Sequence, residues 1–228
     1  MRRTGGAAAI ALALSSALGL VVAHVVLTPA GFGDPSTDVI AMFAAHRIFV
    51  YLWFLLTGII MALLLVPVGL AFAHEVRHRG ELLAAVTVGF SLLWAAVRLA
   101  GGLIGTTGPD FIGALAAVSR EDAIDVHNVL NAFGRALNQG DTILGGLWLV
   151  LMSFAFLRGG LPRSLCYLGI AVGVAGLSPL VPPLVIPGAS VFSLGSTLWF
   201  GLAGLAMLVT DPAPAPDFHS APKHQLAE

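Results

Sequence analysis

The side chains best suited to chemistry are few, and two of them sit at matching depths in an apolar chain. Arg98 lies 17 residues from Glu81, and Asp141 lies 17 residues from Arg158. On straight helices both come out ~26 Å from the same edge at 1.5 Å per residue. An arginine at that depth in a bilayer is costly unless paired or hydrated, so the spacing predicts an Arg98–Asp141 ion pair. Glu121, Asp125, Asn128, Asn131, Arg135, Asn138 and Thr142 recur at three- and four-residue steps, which is one helical face. This stripe reads either as the wet side of an exposed amphipathic helix or as the lining of a hydrated pocket. A pocket would have Arg98 and Asp141 as floor and Asn138, Arg135 and Asn131 as wall, with His46 and His127 near its mouth. Two guanidinium groups over one carboxylate would favour the anionic head of a small amphiphile or lipid.

The histidines raise a second chemistry. His46 lies 28 residues from His74 and His127 lies 31 from Arg158, at ~42 and ~46 Å by the same rise. Two nearly level imidazoles can ligate haem iron or, with Asp125, a divalent metal. No HExxH, no HxH and no pair of histidines four apart on either helix supports this. The expectation is therefore no cofactor, with haem or a divalent metal as the alternative. His74 and His78 do stand four apart, but Arg77 and Arg79 beside them make a basic turn favoured by anionic lipid head groups. A nucleophile elbow, a P-loop, a dinucleotide fingerprint and paired intramembrane aspartates are all missing. Cys166 is the single cysteine, which excludes an intrachain disulfide, a CxxC pair and a thiolate zinc site. Lys223 is the one lysine and the net charge is -1, so no basic field for nucleic acid exists.

The elements that must hold these residues are membrane helices. Hydrophobic residues make up 57% of 228 and charged residues 10%, while a soluble domain is closer to a quarter charged. Six segments reach the roughly 20 apolar residues that cross ~30 Å of hydrocarbon. They run from about Thr4 to Thr28, Asp34 to His74, Glu81 to Ile104, Ser119 to Arg158, Ser164 to Leu184 and Ala189 to Thr210. The first is longer than the core of a signal peptide, so a retained helix is expected. The fold class is all-α: a polytopic six-helix domain over residues 1–210, followed by a disordered cytoplasmic tail over 211–228. The second and fourth helices, each about 39 residues or ~58 Å long, should extend on the extracytoplasmic side. Arg2, Arg3, Arg77, Arg79, Arg158, Arg163 and Lys223 fall on one side, against Arg47, Arg120 and Arg135 on the other. That bias predicts a cell-membrane protein with both termini in the cytoplasm. Small residues at four-residue steps (Ala7, Ala11, Ser15, Gly19, Ala23; Gly101 and Gly105; Gly169 and Gly173) mark expected helix contacts.

The turn and helix RGGLPRSLCYLGIAVGVAGL at Arg158–Leu177, with Arg98 in LLWAAVRLAGG, resemble the bacterial six-helix membrane family known as domain of unknown function 4386. Leu99, Ala100 and Gly101 stand where that family tends to carry a glutamate, and the last helix lacks another. The resemblance implies the six-helix fold and no activity.

The leading expectation is a non-enzymatic membrane protein that binds a small amphiphile or lipid in an outer-leaflet polar pocket. One alternative is an intramembrane enzyme or redox protein using His46 and His127. Another is a structural subunit whose polar face docks a membrane partner protein.

Overall fold

The computed structural model describes residues 1–34 and 36–209, and expectations for the tail and for Pro35 lie outside them. Among the described residues six helices are long and apolar enough to cross a membrane: α1 (Arg2–Leu27), α2 (Val39–Arg79), α3 (Glu81–Ala116), α4 (Arg120–Phe156), α5 (Arg163–Leu180) and α6 (Pro182–Val209). The chain is thus a multi-pass membrane protein of all-α class. α3 packs between α2 and α4, α5 bridges α4 and α6, and α1 lies against both α6 and α2.

The third helix joins the second and fourth in being far longer than a bilayer requires. α2, α3 and α4 have 41, 36 and 37 residues, or ~54–62 Å against ~30 Å of hydrocarbon. Hydropathy ends the third helix at Ile104, but the backbone continues through Pro109 to Ala116. A proline inside a helix removes one donor and crowds the preceding turn. Tertiary packing overrides it here, because Gly105 lies under the Phe54 ring and Gly108 lies beside Leu130.

Helix starts follow side-chain capping. Asp38, rather than Asp34, caps α2 by accepting from the Ala41 amide at 3.4 Å. Asp34 is occupied one turn earlier, accepting from the Ser36 amide and hydroxyl at 2.8 and 2.7 Å. Ser119 caps α4 through the Asp122 amide at 3.3 Å. α6 becomes α-helical at Val185 rather than Ala189, with Pro187 in the first turn, where a missing N–H leaves no bond unmade.

Glycines set the closest approaches. Gly58 of α2 meets Gly102 of α3 backbone to backbone, and Gly146 of α4 meets Gly173 and Gly176. Gly101, expected at this contact, has open space around it. On α1 only Ser15 and Gly19 of the expected stripe are buried. Gly5, Gly6, Ala9, Leu12, Ala13 and Ser16 turn inward too, because α1 packs on two helices. Gly6 lies against the Gly204 carbonyl of α6 and Gly5 against Ala71 of α2.

The core is aromatic. Trp148 stacks on Phe200 at 5.7 Å and meets Trp199 edge-on at 6.0 Å, with Phe72, Trp94 and Phe192 around them. The three indole N–H groups of this core are satisfied: Trp148 donates to the Ser91 hydroxyl, Trp199 to the Leu165 carbonyl and Trp94 to Asp141.

The two ends of the bundle carry opposite charge. At one end Arg2 pairs with Glu75 at 2.8 Å, and Arg79 donates to the carbonyls of Gly159 and Ala155. Arg3, Arg77, Arg158 and Arg163 share that end. At the other end Arg120 pairs with Asp38 at 2.6 Å and Arg47 with Asp110 at 2.8 Å. Asp34, Glu121, Asp122 and Asp125 add negative charge there.

Candidate functional site

Arg98 and Asp141 meet as their depths predict. The arginine Nε and Nη2 donate to the two carboxylate oxygens at 2.8 and 2.6 Å, and the side chains are 15% and 13% exposed. This two-pronged geometry uses the planar fork of arginine on a single carboxylate. Trp94 Nε1 donates to Asp141 Oδ1 at 2.6 Å, and the guanidinium carbon lies 5.8 Å from the Trp94 ring centre. Arg98 Nη1 reaches across to α2, donating to the Thr57 carbonyl at 2.7 Å and lying 3.1 Å from Met61 Sδ.

The α2 contribution depends on a local change of helix type. Leu55–Ile60 forms a π-helical turn, which loosens the regular bonding of successive carbonyls. The Leu56 carbonyl accepts from the Ser15 hydroxyl of α1 at 2.8 Å, and the Thr57 carbonyl accepts from Arg98. One arginine therefore ties α2, α3 and α4 together. Trp94, Thr57, Met61 and Ser15 belong to this network although the depth count pointed to none of them. Arg98 donates to Asp141 and Thr57, and both Asp141 oxygens accept, so the pair ties the three helices together.

The remaining expected site residues are not gathered around that pair. Asn131, Arg135 and Asn138 are exposed on the flank of α4. The physical reason is the pitch of α4: its inward face is taken by Ala123, Leu130 and Leu137 packing toward its neighbours, which turns the polar stripe out. His127 sets its ring edge-on to Phe43 of α2 at 5.7 Å. His46 is half-buried at a break in α2, where its backbone leaves helical values (φ -118°, ψ 21°), and its Nδ1 has no partner. Asp125 is exposed. Among the described residues no three His, Cys, Asp or Glu side chains come together as a ligand set.

The structure does hold a groove at the end opposite the basic one, between other residues. Arg47, Ile48, Tyr51, Thr106, Pro109 and Asp110 line an open space of about 320 Å³ between α2 and α3. Arg47 and Asp110 bridge it through two contacts of 2.8 Å, both side chains being more than half exposed. None of the seven residues expected from the sequence lines it.

The halves of α3 and α4 away from the basic end also leave apolar side chains exposed. Leu103 and Phe111 on α3 and Val118 in the turn after it are 49%, 57% and 87% exposed, and Val129 and Phe133 on α4 are 55% and 61% exposed. Leu103 and Phe111 are eight residues apart, which keeps them on one side of α3, and Val129 and Phe133 are a single turn apart. In comparisons with known proteins, the chain matches no family model, no curated protein and no solved structure.

Proposed function

We propose that this is a non-enzymatic protein of the cell membrane, its termini cytoplasmic, that docks a partner membrane protein on the outer half of α3 and α4. The charge bias supports the orientation, since the basic end belongs inside. One observation carries the docking reading. Phe111, Val129 and Phe133 are exposed apolar groups more than 20 helical residues from the basic end, and ~30 Å of hydrocarbon needs about 20. On this reading the bilayer leaves them uncovered, and an apolar face rimmed by Asn128, Asn131 and Arg135 fits a protein contact. Kinship with the domain of unknown function 4386 family is part of this proposal and adds no activity to it.

A photo-crosslinking residue in place of Phe133 tests the reading in intact cells. It should give one discrete protein adduct, abolished by Val129→Asp on the same flank and retained in Glu121→Gln at the tip. Lipid adducts alone, or a protein adduct indifferent to Val129→Asp, would reject docking at this face.

A second reading, binding of a small amphiphile or lipid on the outer side, is favoured by the groove at Arg47 and Asp110. Its charged pair sits above the apolar Ile48 and Tyr51, as a head and tail require. The same crosslinker at Ile48 should then capture lipid, and Arg47→Gln should reduce that adduct.

A further inference from the structure

A second groove lies at the opposite, basic end of the molecule. Pro162, Ser164, Leu165, Leu168, Leu202 and Ala206 line an open space of about 330 Å³ between α5 and α6. Its walls are four aliphatic side chains, Leu165 and Leu168 on α5 and Leu202 and Ala206 on α6. Its mouth is the α4–α5 turn, where Arg163 stands between Pro162 and Ser164. Arg158 begins the same turn.

The charges around that mouth are unbalanced. Arg2 is paired with Glu75, and Arg77 reaches Glu81 at 3.8 Å. Arg79 spends its donors on the Ala155 and Gly159 carbonyls. Glu75 and Glu81 are the acidic side chains of this end among the described residues. Arg158 and Arg163 are exposed and pair with no carboxylate there. Among the described residues no counter-charge meets either of them.

We propose that the α5–α6 groove binds one anionic phospholipid of the adjacent leaflet. Its acyl chain lies along Leu165, Leu168, Leu202 and Ala206, and its phosphate takes the Arg163 guanidinium and the Ser164 hydroxyl. Arg158 adds attraction from the turn. A free anion satisfies the arginines but leaves the aliphatic walls bare, whereas a zwitterionic lipid fills the walls and leaves the charge uncompensated. An anionic lipid does both. This site lies on different helices from the docking face and stands independently of it.

The test uses the full-length protein purified in mixed phosphatidylcholine and phosphatidylglycerol, with native mass spectrometry counting retained lipids. One phosphatidylglycerol should be held in preference to phosphatidylcholine, and inorganic phosphate should not displace it. Each basic residue near a membrane surface contributes about a fivefold factor. Arg163→Gln should therefore weaken retention about fivefold, and the Arg158→Gln, Arg163→Gln double variant more. Both residues are exposed and pair with no carboxylate among the described residues, so the variants should keep the wild-type elution profile. Leu202→Trp should expel the lipid with the arginines intact, and Ala206→Phe should repeat that result if Leu202→Trp proves unstable. Equal retention of the two lipids, or a double variant that holds phosphatidylglycerol as well as wild type, would overturn the proposal. Retention unchanged by both groove-filling variants would overturn it as well, since the head group would then be bound outside the groove.

Discussion

Arg98 illustrates how one side chain is fixed from several directions. Its guanidinium is held by Asp141 on α4 and by the Thr57 carbonyl on α2, so removing one partner strands a mostly buried charge. Asp141→Ala should cost about 3–5 kcal/mol, while Arg98→Met with Asp141→Leu should cost less, because no charge is then left alone. Thermal unfolding of the purified variants measures both. Depth counting makes the ion pair legible in the sequence, since each residue lies equally far from a charged boundary residue. The Thr57 carbonyl is not legible, because its availability depends on the π-helical turn at Leu55–Ile60, which leaves no mark in hydropathy. At the exposed end, the Arg120 hydrogen bond holds the Asp38 carboxyl below its ordinary value, with the Ala41 amide adding to the effect. A lowered carboxyl contributes stability that is present above the unfolded value and is lost as pH falls through the folded one. An NMR titration should place Asp38 below a free aspartate, and Arg120→Ala should move it back up.

Between helices, the decisive quantity is which glycine faces the neighbour. An added side chain at Gly102 runs into the Gly58 and Ile59 backbone, whereas Gly101 faces open space. Gly102→Val should therefore destabilise by about 1–3 kcal/mol through overpacking, and Gly101→Val should be far milder. Comparing the two melting temperatures checks the register of α2 on α3. Four-residue spacing alone suggests the Gly101–Gly105 pair, yet neighbouring positions differ by about 100° of rotation, and only the packed partner selects Gly102. The boundaries of α3 were hidden for a related reason. Thr106, Thr107 and Pro109 look like a break in isolation, but contacts with Phe54 and Leu130 carry the helix past them.

Over the whole molecule, six long apolar runs and the uneven distribution of arginines are enough to read the helix count and a proposed orientation from the sequence. What periodicity cannot supply is whether a polar stripe closes onto a cavity or stays open. Asn131, Arg135 and Asn138 share a face in either case, and only the placement of α2 and α3 around α4 decides that they remain exposed. The same placement leaves Phe133 and Val129 uncovered, and the proposal that a partner protein covers them is most directly tested by labelling in place. Cys166 is buried and is the single cysteine, so Cys166→Ala gives a background for single cysteines at positions 121, 133 and 158. A membrane-impermeant maleimide should reach position 121 in intact cells and position 158 only after permeabilisation. Position 133 should label slowly in cells and rapidly once the protein is purified away from its partner. Equally rapid labelling of position 133 in both states would contradict docking, because that face would then be open to water in the native membrane.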